Sequence, residues 1–302
     1  MGIGRVACGL AVCALWFSAC AREPEKPPTP DEIHGRGGMA RWIDVPDGRL
    51  KVETYATARL SQRPVLVAVL HGDRFDPMPG YHYAFAQALV QGFDAPALPG
   101  RVRARFSGPP AVDDVIAAGL LRPGYVDSGG DRSDGERGDA AGDNYTPEVT
   151  DGVAQAVRDL KMSVRARHVV LVGHSGGAAI AANVLGRYPG LADAALLVAC
   201  GCDPEAWRAR MRQSSSHPMW RGETRSLLPL DLAEGVRRGV VVRLVVGQQD
   251  ATALPEYSAR YAERLRQRGV DAQVTVVPGV GHDIMFEPAV FSGLEQLLRS
   301  LP

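Results

Sequence analysis

Lysine is nearly missing from the chain. It occurs at Lys26, Lys51 and Lys161, and the other basic residues are arginines, a bias that reads as base composition rather than function. Lys and Arg together number 34, as do Asp and Glu, so the formal net charge is zero. No basic patch suggests nucleic acid, and no acidic tract suggests a solvating tail. Cysteine is scarce too, with five in 302 residues. Cys8, Cys13 and Cys20 fall within the first twenty positions, leaving Cys200 and Cys202 for the body of the chain. A bridge between residues two apart is strained, so no disulfide framework is expected. Both read as small buried hydrophobes near a strand end.

The N-terminal apolar run, Val6 to Phe17, follows a single positive charge at Arg5 and is too short to cross a bilayer comfortably. This is the layout of an export signal over residues 1–20. Its ending leaves two readings open. "FSAC" resembles the lipobox of bacterial lipoproteins, which would lipidate Cys20 and anchor the mature protein to a cell-envelope membrane. "ACA" instead fits ordinary signal cleavage, giving a soluble periplasmic or secreted protein. Residues 21–40, rich in Pro, Gly and charge, read as a linker.

From residue 41 the pattern is that of one domain. Two alternating runs flank Pro46-Asp47-Gly48, a hairpin signal. "PVLVAVLHG" is a continuous apolar run, as expected of a buried parallel strand. Helical spacing follows over 81–92, and a strand over 111–125. Residues 147–163 read as a helix capped by Thr146, with Pro147 at its first position. Strands at "HVVLV", "AALLVAC", "GVVVRLVVG" and "AQVTVVPG" then alternate with helices over 176–188, 255–268 and 287–300. Residues 204–238 are mixed and mostly helical, a small lid insertion. The order predicts an α/β fold: a mostly parallel twisted sheet, helices on both faces, and an antiparallel start.

In such a sheet, reactive groups gather at the carboxyl ends of the strands. "VVLVGHSGG" puts Ser175 at a sharp turn between strand and helix, flanked by Gly173 and Gly177. A G-x-S-x-G match arises easily by chance in a glycine-rich chain, so its context must carry it. Asp250 follows the next-to-last strand and His282 the last. A serine hydroxyl needs a base, imidazole suits that role near neutral pH, and a carboxylate fixes its tautomer. Gly176 and Asp73, the latter in "VAVLHGD", sit where backbone amides can face an oxyanion. Asp203, after the preceding strand, is the alternative acid. His174 and His71 read as structural.

With "LHGD", "GHSGG", "VVGQQDATALPEYS" and "VPGVGHD" in that order, the chain resembles α/β-hydrolase fold enzymes over residues 41–302. It is most similar to the broad group of esterases, dienelactone-hydrolase-like proteins and prolyl-oligopeptidase-type peptidases. The resemblance implies Ser175 as nucleophile, His282 as base, Asp250 as acid, and Gly176 and Asp73 as oxyanion donors, with no cofactor or metal. "HGD" departs from the "HGGG" of many lipases, and Ser at the elbow separates the chain from dehalogenases and epoxide hydrolases.

The activity expected is hydrolysis of small-molecule carboxylic esters. A peptidase or amidase with the same triad is the alternative; enzymes of that type usually carry a propeller or extra domain, for which 302 residues leave no room. A non-catalytic binding protein is the third reading. Tyr125, Met219 and Trp220 are candidates to line an acyl or leaving-group pocket. The loop "DSGGDRSDGERGDAAGDNYT" does not match calcium-loop spacing, because Asp127, Asp131, Asp134 and Asp139 fall at the wrong intervals; it reads as mobile.

Overall fold

The computed structural model describes residues 38–73, 80–92, 112–138 and 142–302. The export signal, Cys20 and most of the linker lie outside the described residues, as does Asp139. Eight strands form one sheet: β1 (Met39–Val45), β2 (Gly48–Ala56), β3 (Val65–Leu70), β4 (Val115–Leu120), β5 (His168–His174), β6 (Ala194–Val198), β7 (Val241–Gly247) and β8 (Asp271–Val277). Their spatial order is β1-β2-β4-β3-β5-β6-β7-β8. β1, β2 and β4 pair antiparallel, and every other pair is parallel. β1 therefore begins two residues inside the segment read as linker.

Seven α-helices occur among the described residues: α1 (Tyr81–Gln91), α2 (Pro147–Ser163), α3 (Gly176–Arg187), α4 (Pro204–Ser214), α5 (Pro229–Leu232), α6 (Pro255–Gln267) and α7 (Pro288–Ser300). None of the described helices is long and apolar enough to cross a membrane. The central strands read as unbroken apolar runs because both faces are covered. In β3, Leu66, Ala68 and Leu70 enter the core shared with α2, α3 and α6, whereas Val65, Val67 and Val69 enter the one shared with α1 and α7. β5 divides in the same way, with Val169 and Leu171 on one side and Val170 and Val172 on the other. α2 starts as expected: Thr146 Oγ1 accepts from the Val149 amide at 3.4 Å, Pro147 follows it, and Glu148 lies in the first turn.

Two expectations are corrected. Cys200 and Cys202 form a disulfide. Their Cα atoms lie 5.1 Å apart, within the usual span of a bridge, just beyond the positive φ of Ala199 at the end of β6. Both cysteines are fully buried, as expected.

The polar loop read as mobile is tied down over its described part by a buried cation. Lys51, on β2, is 2 % exposed. Its Nζ lies 2.5 Å from Asp127, 2.8 Å from Asp131 and 3.3 Å from Glu53. Burial pulls the Lys51 ammonium down, but its hydrogen bonds to Asp127 and Asp131 outweigh that and hold it above its ordinary range. Asp127 also accepts from the Gly129 and Asp131 amides, Ser133 Oγ accepts from the Lys51 amide, and Asp134 accepts from the Arg49 amide. The aspartates of the loop read as mobile instead clamp it to the hairpin.

Removing one partner of a buried ion cluster leaves uncompensated charge. Lys51→Met is expected to cost ~3–5 kcal/mol by urea denaturation, since it strands Asp127 and Glu53, and Lys51→Arg should recover part of that. A Lys51→Met protein as stable as the parent would show that the cluster does not anchor the loop.

Candidate active site

Ser175 stands between β5 and α3 at φ 54° and ψ −119°, a conformation a non-glycine residue adopts only where its surroundings enforce it. The glycines around it leave no room for side chains. A Cβ at Gly173 would come within 2.4 Å of the Gly177 carbonyl oxygen, and one at Gly177 within 2.4 Å of the His71 carbonyl oxygen. A Cβ at Gly176 would lie 2.2 Å from Asp73 Oδ1. α3 carries no side-chain cap at its start, so its first amides and positive dipole end face the site.

The structure brings Ser175, His282 and Asp250 together. His282 Nε2 lies 3.0 Å from Ser175 Oγ, and His282 Nδ1 lies 2.8 Å from Asp250 Oδ2. Asp250 is buried, and its Oδ1 accepts from the Thr252 and Ala253 amides, both at 2.8 Å. A carboxylate held by two backbone donors presents its remaining oxygen in a fixed direction. Gly247 allows the turn carrying His282 to close on the end of β7, since a Cβ there would meet the Val280 carbonyl oxygen at 2.3 Å.

Asp203, the alternative acid, is committed elsewhere. It caps α4 by accepting from the Ala206 amide at 3.0 Å, and its other oxygen pairs with Arg260 at 2.8 Å. Trp220 packs edge-on against Trp207 at 5.3 Å. The Met219 and Trp220 carbonyls accept from Arg208 and Arg212, contacts internal to residues 204–220. Tyr125 is buried, with its hydroxyl on the Asp73 carbonyl at 3.3 Å and its ring between Arg122 and Arg137. Among the described residues no group of three or more His, Cys, Asp or Glu could hold a metal ion.

The turn after β3 is held on nearly every polar atom. The Gly72 amide donates to Tyr81 Oη at 2.5 Å, and the Gly72 carbonyl accepts from His71 Nδ1 at 2.7 Å. His71 Nε2 accepts from the Arg122 amide at 3.0 Å. Those partners fix one neutral tautomer, because a carbonyl only accepts and an amide only donates. Complete burial, the neighbouring His82 and the Arg122 charge hold His71 well below the usual histidine range.

His174 joins the two sides of the site. Its Nδ1 lies 2.8 Å from Tyr81 Oη, and its Nε2 lies 3.2 Å from the carbonyl oxygen of His282. Tyr81 therefore links the turn after β3 to His174, which in turn holds the backbone of His282. Sequence reasoning missed Tyr81, Arg122 and Tyr145. An arginine closing an apolar strand in "GLLRPGY" was a signal for Arg122; Tyr81 and Tyr145 carried none apart from their partners.

The profile of the prolyl oligopeptidase family matches residues 138–298. No curated protein is a significant match to the sequence. Among solved structures, the chain resembles the ferulic-acid-bound esterase Est1E of Butyrivibrio proteoclasticus at 14% identity and a TM-score of 0.59, covering 86% of this chain and 98% of that one. An esterase from Pyrococcus furiosus is similar at 12% identity and a TM-score of 0.62, with coverages of 90% and 96%. Dipeptidyl peptidase 4 of Porphyromonas gingivalis matches 87% of this chain at 14% identity and a TM-score of 0.57, and this chain spans 35% of that protein. At these identities the likeness is one of fold.

Burial, then the nearby His282 and despite its carbonyl, lowers His174 to about 4. Below a pH of about 6.5 the unfolded chain binds a proton that folded His174 refuses, down to about 4. Its contribution to stability is therefore complete above that window and lost as pH falls through it, by ~3 kcal/mol. His174→Gln keeps a donor toward His282 and cannot titrate. Urea unfolding at pH 7 and pH 4.5 should show a pH difference ~2 kcal/mol smaller in the variant; equal pH dependence in both proteins would refute the account.

Proposed function

The chain belongs to the prolyl oligopeptidase family, a family of serine hydrolases, and from that premise we propose that it cleaves carboxylic esters through an acyl-enzyme on Ser175. The observation that carries this reading is the unbroken chain of hydrogen bonds from Ser175 Oγ through His282 to Asp250. His282 Nε2 takes the serine proton as Oγ attacks the ester carbonyl. Asp250 keeps the other nitrogen protonated and stabilises the imidazolium. The Gly176 and Asp73 amides face the tetrahedral oxyanion; among the described residues neither has an acceptor. As the intermediate collapses, His282 returns its proton to the leaving alcohol. Water, activated by the same nitrogen, then releases the acid.

Ester cleavage is supported by the esterases of similar fold, at TM-scores of 0.59 and 0.62. The family itself supports the amide reading, so both bonds belong in the test. Export agrees with the Cys200–Cys202 disulfide, since such bonds persist in oxidising compartments; lipidation of Cys20 rests on the sequence "FSAC".

Ser175→Ala should remove p-nitrophenyl ester turnover by a factor of ~10⁴ or more and abolish fluorophosphonate labelling with an unchanged circular dichroism spectrum. Activity retained in that variant would sink the assignment, and absence of labelling in the parent protein would favour a binding role. Turnover of an aminoacyl p-nitroanilide exceeding that of every ester tried would move the activity to peptide bonds. Metabolic labelling with palmitate reads the anchor: a Cys20→Ala chain should lose label, and an unlabelled parent would leave ordinary signal cleavage.

A further inference from the structure

The turn that offers the Asp73 amide also carries a carboxylate, and that charge lies beside the nucleophile. Asp73 Oδ1 is so close to Gly176 that a Cβ there would be 2.2 Å away. In the acyl-transfer reading, on which this inference rests, negative charge develops against the Gly176 amide. An unneutralised carboxylate at that place would oppose it.

Arg122 answers the charge. It is 1 % exposed, and its Nη1 donates to Asp73 Oδ1 at 2.8 Å and to the His71 carbonyl at 3.1 Å. Its Nε and Nη2 find no partner among the described residues, so its ion pairing there goes to Asp73. Tyr145 Oη donates to Asp73 Oδ2 at 2.8 Å, while Tyr125 and Arg137 donate to the Asp73 carbonyl at 3.3 and 3.2 Å. With the Gly72 amide on Tyr81 and the Gly72 carbonyl on His71, the polar atom of Gly72 and Asp73 left without a partner among the described residues is the Asp73 amide.

We propose that Arg122 and Tyr145 are positioning residues for the oxyanion: they hold the Asp73 carboxylate so that its amide faces the site, and Arg122 cancels its charge there. Four donors from residues 122–145 converge on one aspartate, which gives this loop a part in the chemistry that its composition did not suggest. A pair that served stability alone would show its charge preference in unfolding and not in kcat at constant KM. A shielding pair makes a loss of Arg122 worse when Asp73 keeps its carboxylate than when it does not.

The test compares kcat and KM on a p-nitrophenyl ester with the rate of Ser175 phosphonylation by a fluorophosphonate. The second rate depends on the same oxyanion site whichever bond the enzyme naturally cleaves. Arg122→Gln should lower kcat by ~10²-fold or more, with KM within about threefold. Adding Asp73→Asn should then restore at least ~10-fold, and Arg122→Lys, which keeps the charge, should also exceed Arg122→Gln by at least ~10-fold. A double variant no better than Arg122→Gln, in either rate, overturns the shielding. Tyr145→Phe keeps the ring and supplies an arm independent of how Arg122 variants fold. Its kcat should fall ~10-fold at an unchanged KM and melting temperature, and an unchanged kcat overturns the positioning. Failure of the acyl-transfer reading is separately visible, as a parent protein that the fluorophosphonate does not label.

Discussion

Strand and helix meet at Ser175 with less room than a methyl group needs, and the rest of the site is arranged around that closeness. α3 starts against the ends of β3 and β5 because positions 173, 176 and 177 carry no side chain. The approach goes with a positive φ at Ser175, whose hydroxyl meets His282. It also sets the first amides of α3 beside the turn after β3, so that two backbone segments far apart in sequence face one small volume. Such strain persists only where the surroundings over-determine it, and here they do. The Ser175 amide donates to the Val198 carbonyl at 2.8 Å, and the Ala178 amide closes back on the Ser175 carbonyl at 3.0 Å.

Behind this contact the molecule uses buried charge as scaffolding. Lys51 gathers Glu53, Asp127 and Asp131; a few residues along the same loop, Arg122, Tyr125, Arg137 and Tyr145 reach Asp73. The antiparallel hairpin thus does more than extend the sheet. It anchors the middle of a loop whose flanks, Arg122 and Tyr125 before and Arg137 and Tyr145 after, brace the turn after β3. Buried ion pairs add little net stability compared with apolar packing, but they are exacting about direction, and direction is what an amide facing an oxyanion requires.

Much of this was legible in the sequence because it follows from periodicity and steric need. Unbroken runs such as "VLVAVL" mark strands covered on both faces, Pro147 after Thr146 marks a helix start, and the glycines of "GHSGG" mark a close approach. What was not legible was pairing at long range. Nothing in "DSGGDRSDGERG" says that its acids meet a lysine some eighty positions earlier, so composition made a clamped loop look mobile. Nothing near Cys200 says that the chain will turn so that Cys200 and Cys202 bridge. Asp203 and Asp250 both follow strands, and only the fold separates them: one caps α4 and pairs with Arg260, the other reaches His282.

Three histidines converge on the site, and their hydrogen-bond partners divide the work among them. His71 has both nitrogens on backbone groups, the Gly72 carbonyl and the Arg122 amide, and is fully buried. His174 lies between a tyrosine hydroxyl and a carbonyl and is 8 % exposed. Neither has a free acceptor nitrogen, and burial keeps both neutral near physiological pH. His282 alone of the three turns its second nitrogen to a serine hydroxyl, and its side chain is 25 % exposed. A base must find its proton within reach and be able to carry charge afterward. The two neutral histidines hold the backbone around Ser175, while His282 keeps Nε2 on the serine hydroxyl and Nδ1 on the anchored Asp250 carboxylate, the arrangement that the proposed acyl transfer uses.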